Sequence, residues 1–348
     1  MRPDSTGVAR EFLRDLLALD PAPDALARVR ARPPEGRDWD AVLRLAAQAR
    51  TLPLLHWHHR RHTLGWPEEV AGRLRAAYAQ SAARAHGQEE VVRDLCGRFA
   101  SAGVRAVLLK GAALRRHLYP DPALRPMADI DFWIHPADVK GADAALREAG
   151  HARRDPDEAW EAMRRFGLEA TYVDGDGNLS VEIHWGLEQY ERYRGAAGID
   201  PDRLWSASRP DPDDPSARFL PLALEPSYLA FHAGAVHGFQ GTLWRLDLAE
   251  WLRRYRAEVD WDTVIHEARS AGFLNALKMG TGTLYPKLMP PLFCGEAEYT
   301  VPTGLSRLRP LLALPTWRDR ARAVARGLFP SAESRAYRMG TDTNLFCG

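Results

Sequence analysis

The stretch VRAVLLKGAALRRHLYPDPALRPMADIDFWIHP, residues 104–136, contains two kinds of hydrophobic pattern. It opens with a short aliphatic and β-branched run that ends at Gly111, and this composition predicts a strand. AALRRHLY then continues to Pro120 with helical spacing, and ADIDFWIHP predicts a second strand. Strand, helix and strand in this order indicate an α/β core.

A helix and a hairpin extend this core. PADVKGADAALREAG has Pro136 near its start and Gly150 at its end, where proline and glycine favour helix termini. LEATYV and LSVEIHWGL flank DGDGN, whose Gly and Asn residues tolerate the positive φ of tight turns. This second stretch therefore predicts a hairpin.

Helical patterns flank the core on both sides. Apolar residues recur at intervals of three and four up to about Gly103, again from Pro221 to about Leu288, and in WRDRARAVARGLF. PDPDDPSAR is rich in Pro and Asp, which is typical of a linker before the second helical region. We expect an α+β fold in which a small mixed sheet is flanked by helices. Its three parts would be a helical region at 1–103, the core at 104–210 and a helical region at 211–348.

The composition limits the class of protein. The 348 residues carry a formal net charge of +1, so no global field attracts nucleic acid. Charged residues from Asp4 to Asp15 interrupt any export signal, and no apolar run approaches the roughly 20 residues of a membrane span. Three distant cysteines, Cys96, Cys294 and Cys347, suggest neither a disulfide framework nor a CxxC zinc site. We expect a soluble cytoplasmic protein without membrane contact.

Two aspartates share one face of the second predicted strand. Side chains alternate along a strand, so Asp129 and Asp131 point to one face, while the apolar residues between and after them point to the other. Their Cα atoms would lie about 6.5 to 7 Å apart, which lets both carboxylates approach one cation. Hard cations such as Mg²⁺ prefer oxygen ligands of this kind.

A third carboxylate lies in LSVEIHW. Alternation places Glu182 and His184 on the polar face of that strand. If the two strands share a sheet and a face, Glu182 joins the aspartates in a triad that can hold two divalent ions. Glu169 or Asp174 would replace Glu182 in a different strand register. His184 is either a ligand of a phosphate or base, or a hydrogen-bonded core residue.

The turn after the first strand predicts a phosphate site. Gly111 permits a close backbone approach, and the amides at the start of the following helix favour an anion. Lys110 would add a mobile positive charge and Arg125 a bidentate one. The structural alternatives are a surface lysine and a salt bridge from Arg125 to Asp121 or Asp129.

LLKGAALRRHLYPDPALRPMADIDFWI, with VEIHW downstream, resembles the uncharacterised nucleotidyltransferase family within the DNA polymerase beta-like superfamily. That superfamily combines a Gly-containing turn after the first strand, a DxD on the second and an acidic residue on a later strand. The resemblance extends over about residues 104–185, although the turn here is Lys-Gly-Ala where Gly-Ser is usual. Lys110 and Arg125 match positions typical of the family. The matched turn glycine, metal ligands and third carboxylate are Gly111, Asp129, Asp131 and Glu182.

This resemblance implies transfer of a nucleoside monophosphate from an NTP such as ATP to an unidentified acceptor, with release of pyrophosphate. We expect two Mg²⁺ ions, with Mn²⁺ as the alternative ion. The acceptor is a small molecule, a tRNA or a protein, and the low net charge favours the small molecule. The alternative function is non-catalytic binding of a nucleotide or partner by the same fold, which leaves the repulsion among three carboxylates unexplained.

The remaining motifs indicate structure more than chemistry. DGDGN lacks the later Gly and Glu of an EF-hand loop, and HWHHRRH at 56–62 is typical of a solvated helix face. No P-loop, HExxH, GxSxG or protein-kinase pattern occurs. Four polar residues of the later helices either line the acceptor pocket or make structural hydrogen bonds: His232, His237, Arg245 and Asp247.

Overall fold

Five helices form the first part of the chain, as their apolar spacing predicts. The computed structural model describes residues 5–188, 195, 198–283 and 309–328. Helices α1 to α5 span Ser5–Leu16, Pro23–Ala31, Arg37–Gln48, Leu52–His62 and Glu68–Ser101. The rings of Phe12, Trp39 and Trp66 pack together with centroids 5.3 to 5.8 Å apart. These helices therefore have an apolar core of their own.

Seven strands form one mixed sheet, which confirms the predicted α+β fold. Strands β1 to β7 span Ala106–Leu108, Asp129–Ile134, Ala152–Arg153, Glu169–Val173, Ser180–His184, Arg209–Pro210 and Arg218–Phe219. Their order in the sheet is β3-β4-β5-β2-β1-β7-β6. The pairs β2–β5 and β1–β7 are parallel, and the others are antiparallel. β4 and β5 form the predicted hairpin, with Gly177 at φ +70° in its turn.

Four helices connect the strands of the core. Helices α6 to α9 span Lys110–His117, Val139–Glu148, Trp160–Phe166 and Pro201–Ala207. The first strand is shorter than predicted, because β1 ends at Leu108 and not at Gly111. Lys110 has φ +47°, which lies outside the extended region and turns the chain into α6. α7 begins after Pro136 and is followed by Gly150 at φ +87°, as predicted.

The two faces of the sheet are covered by different helices. Ile130, Phe132 and Ile134 of β2 pack in one core with residues of α5 and α7. On the opposite face Trp133 belongs to the core that the helices after residue 224 build. The predicted alternation of β2 is therefore correct, and its aspartates lie on the face toward the C-terminal helices.

The C-terminal part is helical, as predicted. Helices α10 to α15 span Glu225–Phe231, Thr242–Tyr255, Trp261–Ser270, Leu274–Lys278, Arg309–Leu312 and Trp317–Leu328. Single π-helical turns follow α10 and α13, at His232–Val236 and Met279–Thr283. Helix α15 agrees with the helix predicted from WRDRARAVARGLF up to Leu328. The end of the helical pattern predicted to reach Leu288 lies outside the described residues.

PDPDDPSAR forms a hairpin loop between β6 and β7 and not a free linker. β7 joins the sheet beside β1, and Asp211 and Asp214 accept hydrogen bonds from Arg116 at 2.8 and 3.1 Å. Two acidic residues of the predicted linker thus hold the loop on α6. The limits of the three parts at 1–103, 104–210 and 211–348 remain a prediction.

Two expectations from composition concern membranes and cysteines. None of the helices in the described ranges has the length and apolar character that crossing a membrane requires. Cys96 is a free, buried cysteine on α5, where burial raises the pKa of its thiol to about 12. Cys294 and Cys347 lie outside the described residues.

Candidate active site

The parallel pairing of β2 with β5 brings two carboxylates side by side. The register places Asp131 opposite Glu182 and Asp129 opposite Ser180. Residues paired across neighbouring strands share a face, so both aspartates and Glu182 lie on the same side of the sheet. The sequence predicted this arrangement on the condition that the two strands belong to one sheet, and the structure meets that condition.

Asp131 is the most buried of the three acids, and two side chains bind one of its oxygens. Lys110 Nζ donates to Oδ1 at 2.6 Å, and His184 Nε2 lies 2.9 Å from the same oxygen. Burial would raise the pKa of Asp131, but Lys110 and His184 outweigh it and hold that pKa well below its usual value. Asp131 is therefore an anion held between two cationic groups.

The charge state of His184 follows from the same contacts. Burial and the nearby Lys110 act to lower the pKa of His184, whereas its contacts with Asp131 and Glu169 raise it to about 9 overall. His184 is fully buried, and its Nδ1 lies 3.3 Å from Oε2 of Glu169. The ring is thus a protonated link between β2 and the β4–β5 hairpin.

The acids have the donor set of a cation site. In the part of the chain that the structure describes, one group of possible metal ligands occurs, with ligand atoms of Asp131, Glu182 and His184 all within 4.8 Å of one another. Burial and the charge of Asp131 raise the pKa of Glu182 to about 7, and they raise the pKa of Asp129 as well. A divalent cation would remove this repulsion, so the carboxylates fit such an ion. Asp129 lies outside this group of atoms, and its role as a ligand remains a prediction.

The alternative acids take other positions. Glu169 is paired with His184 across β4 and β5 and contacts that ring. Asp174 accepts hydrogen bonds from the backbone of Asn178 and Leu179 and so closes the hairpin turn. The register therefore places Glu182, and neither of these two, beside Asp131.

The turn at Lys110 and Gly111 is tightly constrained. Lys110 is one of few non-glycine residues with positive φ, a conformation that is costly and concentrates at functional sites. A Cβ at Gly111 would lie 3.0 Å from Sδ of Met127 and 3.4 Å from Nη1 of Arg125. A side chain at position 111 would therefore displace Met127 or Arg125. Close packing within the site thus explains why this position is a glycine.

Arg125 is engaged in a buried ion pair. Its guanidinium donates three hydrogen bonds of 2.8 to 3.0 Å to both carboxylate oxygens of Asp247 on α11. Tyr119 donates to the same carboxylate at 2.7 Å, and Nη1 of Arg125 donates to the carbonyl of Pro126. Asp247 is the partner of Arg125, in place of the alternatives Asp121 and Asp129. Phosphate binding by Arg125 remains a prediction.

A cavity of about 1000 Å³ opens beside the acids. Asp129, Asp131, Lys110, Gly111 and Arg125 line it, and Glu182 and His184 are absent from its described lining. The remaining walls come from α1, the end of α3 and the start of α11. The basic residues that line these walls are Arg10, Arg14, Arg50, Arg245 and Arg253.

An aromatic group also lines the cavity. His237 stacks on Trp244 with centroids 3.5 Å apart and an interplanar angle of 14°, and His232 meets both rings edge-on. Burial lowers the pKa of both histidines, that of His237 to about 4, so they are neutral at pH 7. His232, His237 and Arg245 thus line the cavity, whereas Asp247 forms the ion pair with Arg125.

Several residues that line the cavity could not be recognised from the sequence. Arg10 and Arg14 occur in an ordinary amphipathic helix, Arg50 follows another, and arginine is common throughout the chain. HWHHRRH contributes no metal site among the described residues, and the expectation of a solvated helix face is wrong at His58, which is buried. Only the position of α1 and of the end of α3 beside the cavity distinguishes these exposed arginines from the other arginines of the chain.

Comparison with known proteins gives one match. Residues 35–285 match the family described as uncharacterised nucleotidyltransferase. This range includes the whole of β1, β2 and β5. No curated protein and no solved structure matches the chain. The matched region covers most of the chain and contains the acids, the Lys110–Gly111 turn and the Arg125–Asp247 pair. The chain therefore belongs to this family of uncharacterised nucleotidyltransferases.

Proposed function

We propose that the protein transfers a nucleoside monophosphate from an NTP to an acceptor with a divalent cation at Asp129, Asp131 and Glu182. An oxygen of the acceptor attacks the α-phosphorus, the bond from that phosphorus to the β-phosphate oxygen breaks, and pyrophosphate leaves. The acceptor loses one proton in this step. Two Mg²⁺ ions, or Mn²⁺, would activate the attacking oxygen and neutralise the leaving phosphate when bound.

One observation carries the proposal, namely the register that places Asp131 beside Glu182 at the edge of a large cavity. Burial and the charge of Asp131 raise the pKa of Glu182, and a divalent cation held by both carboxylates would remove this repulsion. Lys110 and the amides at the start of α6 lie on the same side and can bind the leaving pyrophosphate. Positioning and charge neutralisation supply most of the rate acceleration in reactions of this type.

The test uses NTPs labelled at the α- or γ-phosphate. With Mg²⁺ present, α-label should move to an acceptor or to water while γ-label appears in pyrophosphate. Asp131→Asn and Asp129→Asn should each lower turnover by on the order of 10²-fold or more, because each removes charge that stabilises the transition state. Asp176→Asn, in the exposed hairpin turn, is the matched control and should keep full activity. Full turnover in both site variants would refute the mechanism.

The ion pair of Lys110 with Asp131 favours one alternative function. Lys110 and His184 neutralise Asp131 without any added cation, so a non-catalytic nucleotide- or partner-binding protein could keep this site. Calorimetry separates the two functions. The catalytic proposal expects NTP binding that strengthens with Mg²⁺, whereas the binding alternative expects the same affinity with and without it.

A further inference from the structure

The cavity beside the acids is lined by an excess of positive charge. Six arginines and Lys110 line it, against the two carboxylates of Asp129 and Asp131. Lys110 and Arg125 belong to the ion pairs with Asp131 and Asp247. The other five arginines lie on or next to α1, α3 and α11.

Three of these five arginines lie on the side formed by the N-terminal helices. Arg10 and Arg14 are on α1, and Arg50 follows α3 with φ +57°. All three are exposed, and Arg14 has only a loose pair, 3.8 Å from Glu11. Within the described ranges the side chains of Arg10 and Arg50 have no hydrogen bond or ion pair.

The wall that carries these arginines is held in place by packing. Leu54 of α4 forms a buried cluster with Leu243 and Leu246 of α11. The backbone of Leu19 donates to Glu250 of α11 at 3.1 Å. The N-terminal helices are therefore fixed against the catalytic face, and their arginines line the cavity as part of the folded structure.

We propose that the acceptor is a small molecule with a phosphate group, which Arg10, Arg14 and Arg50 bind. This inference rests on the proposed nucleotidyl transfer. Arginine binds phosphate by charge-assisted, bidentate hydrogen bonds, and these three exposed side chains line the cavity. Arg10 and Arg14 precede the matched region 35–285, whereas Arg50 lies within it.

The size of the cavity and the net charge decide between a small acceptor and a polymer. About 1000 Å³ is at the upper end for small-molecule pockets and offers space for a nucleotide and a second ligand. A formal net charge of +1 provides no extended field for a nucleic acid. Both observations favour a small phosphorylated acceptor.

The test measures binding of a second anion while the nucleotide site is occupied. The protein is saturated with Mg²⁺ and the α,β-methylene analogue of the NTP that binds best, and ribose 5-phosphate is titrated by calorimetry with ribose as the uncharged match. Ribose 5-phosphate should bind at least tenfold more tightly than ribose. Arg10→Ala combined with Arg50→Ala should weaken ribose 5-phosphate at least tenfold and change the affinity for the analogue less than twofold. Arg44→Ala, an exposed arginine of α3 outside the cavity lining, should change neither.

Four results would overturn the proposal: equal binding of ribose and ribose 5-phosphate, exclusion of ribose 5-phosphate by the bound analogue, loss of analogue affinity in the double variant, or tighter binding of a ten-nucleotide RNA than of ribose 5-phosphate. Failure of nucleotidyl transfer has a different signature. In that case the wild-type protein does not bind the analogue. Titration of ribose 5-phosphate into the nucleotide-free protein and the double variant then still decides whether the arginines bind phosphate.

Discussion

At the scale of single residues, Asp131 combines two partners that a free carboxylate on a strand would not have. Lys110 and His184 both contact Oδ1 and stabilise the anion in a buried position. Lys110 reaches this oxygen from a backbone conformation with φ +47°, which costs on the order of 1 kcal/mol. The buried ion pair offsets this cost, and it also places a fixed positive charge where a cation would bind.

Replacement of Lys110 should separate cation binding from nucleotide binding. In Lys110→Met the competing ammonium is removed, so Mn²⁺ alone should bind more tightly than to the wild type. The NTP should bind about tenfold to a hundredfold more weakly, because a charge-assisted hydrogen bond to phosphate is lost. Calorimetry with Mn²⁺ and with the NTP measures both effects, and Lys140→Met on the surface of α7 is the control. Weaker Mn²⁺ binding in Lys110→Met would contradict this account.

At the scale of elements, the Arg125–Asp247 pair joins the segment before β2 to α11. The two residues are fully buried, and the carboxylate of Asp247 also accepts from Tyr119, which follows α6. Burial disfavours both charges, so the pair depends on its complete set of hydrogen bonds. Its removal would leave the segment with Met127 and Asp129, two and four residues after Arg125, less firmly positioned.

Asp247→Asn should lower the free energy of unfolding by about 3 to 5 kcal/mol, because it leaves Arg125 buried without an anionic partner. Tyr119→Phe should lower it by about 1 to 3 kcal/mol, since one hydrogen bond to a charged group is lost. Urea denaturation gives both values. Glu258→Gln removes the exposed ion pair with Arg254 and should change the free energy by less than about 1 kcal/mol. A loss below 1 kcal/mol in Asp247→Asn would show that the pair is not essential for stability.

At the scale of the whole molecule, the N-terminal helices depend on a neutral histidine. His58 of α4 is buried, and its Nε2 lies 2.8 Å from the carbonyl oxygen of Ala18 after α1. Burial lowers the pKa of His58 to about 4, against about 6.5 in an unfolded chain. Between these pH values the unfolded state binds a proton that the folded state does not, so stability falls as the pH falls.

This difference predicts an acid sensitivity that one substitution removes. From pH 6.5 to pH 4, His58 should cost the wild-type protein up to about 3 kcal/mol of unfolding free energy. His58→Gln keeps a hydrogen-bond donor for the carbonyl of Ala18, and glutamine does not titrate in this range. The unfolding free energy of the variant should therefore fall less than that of the wild type from pH 6.5 to pH 4, and the difference should equal the contribution of His58. Urea denaturation at a series of pH values measures the difference. Parallel pH profiles for the two proteins would mean that His58 is already protonated in the fold.

The site was predictable where a local pattern determines it. The period of two was sufficient to place Asp129 and Asp131 on one face of ADIDFWI and Glu182 on the polar face of LSVEIHW, because the side-chain alternation of a strand is local. The pairing of β2 with β5 makes these two faces one. Arg125 shows the limit, since its partner Asp247 lies 122 positions away and only tertiary packing selects it. The position of β7 in the sheet was missed for the same reason, because its partner β1 lies far away in sequence. The hairpin itself was missed because β6 and β7 have only two residues each, too few for a readable strand pattern.

The parallel pairing of β2 with β5 also determines when the site can form. α7, β3, α8 and β4 lie between these strands in the chain, so the contacts of β2 with β5 are long-range in sequence. Long-range pairings form slowly, because the intervening chain must first be closed into a loop. On the ribosome, a nascent chain that has not yet released His184 contains both aspartates but neither their buried histidine partner nor the complete triad. The pairing of Asp131 with Glu182 thus forms late in folding. The helices of the N-terminal part can form before it.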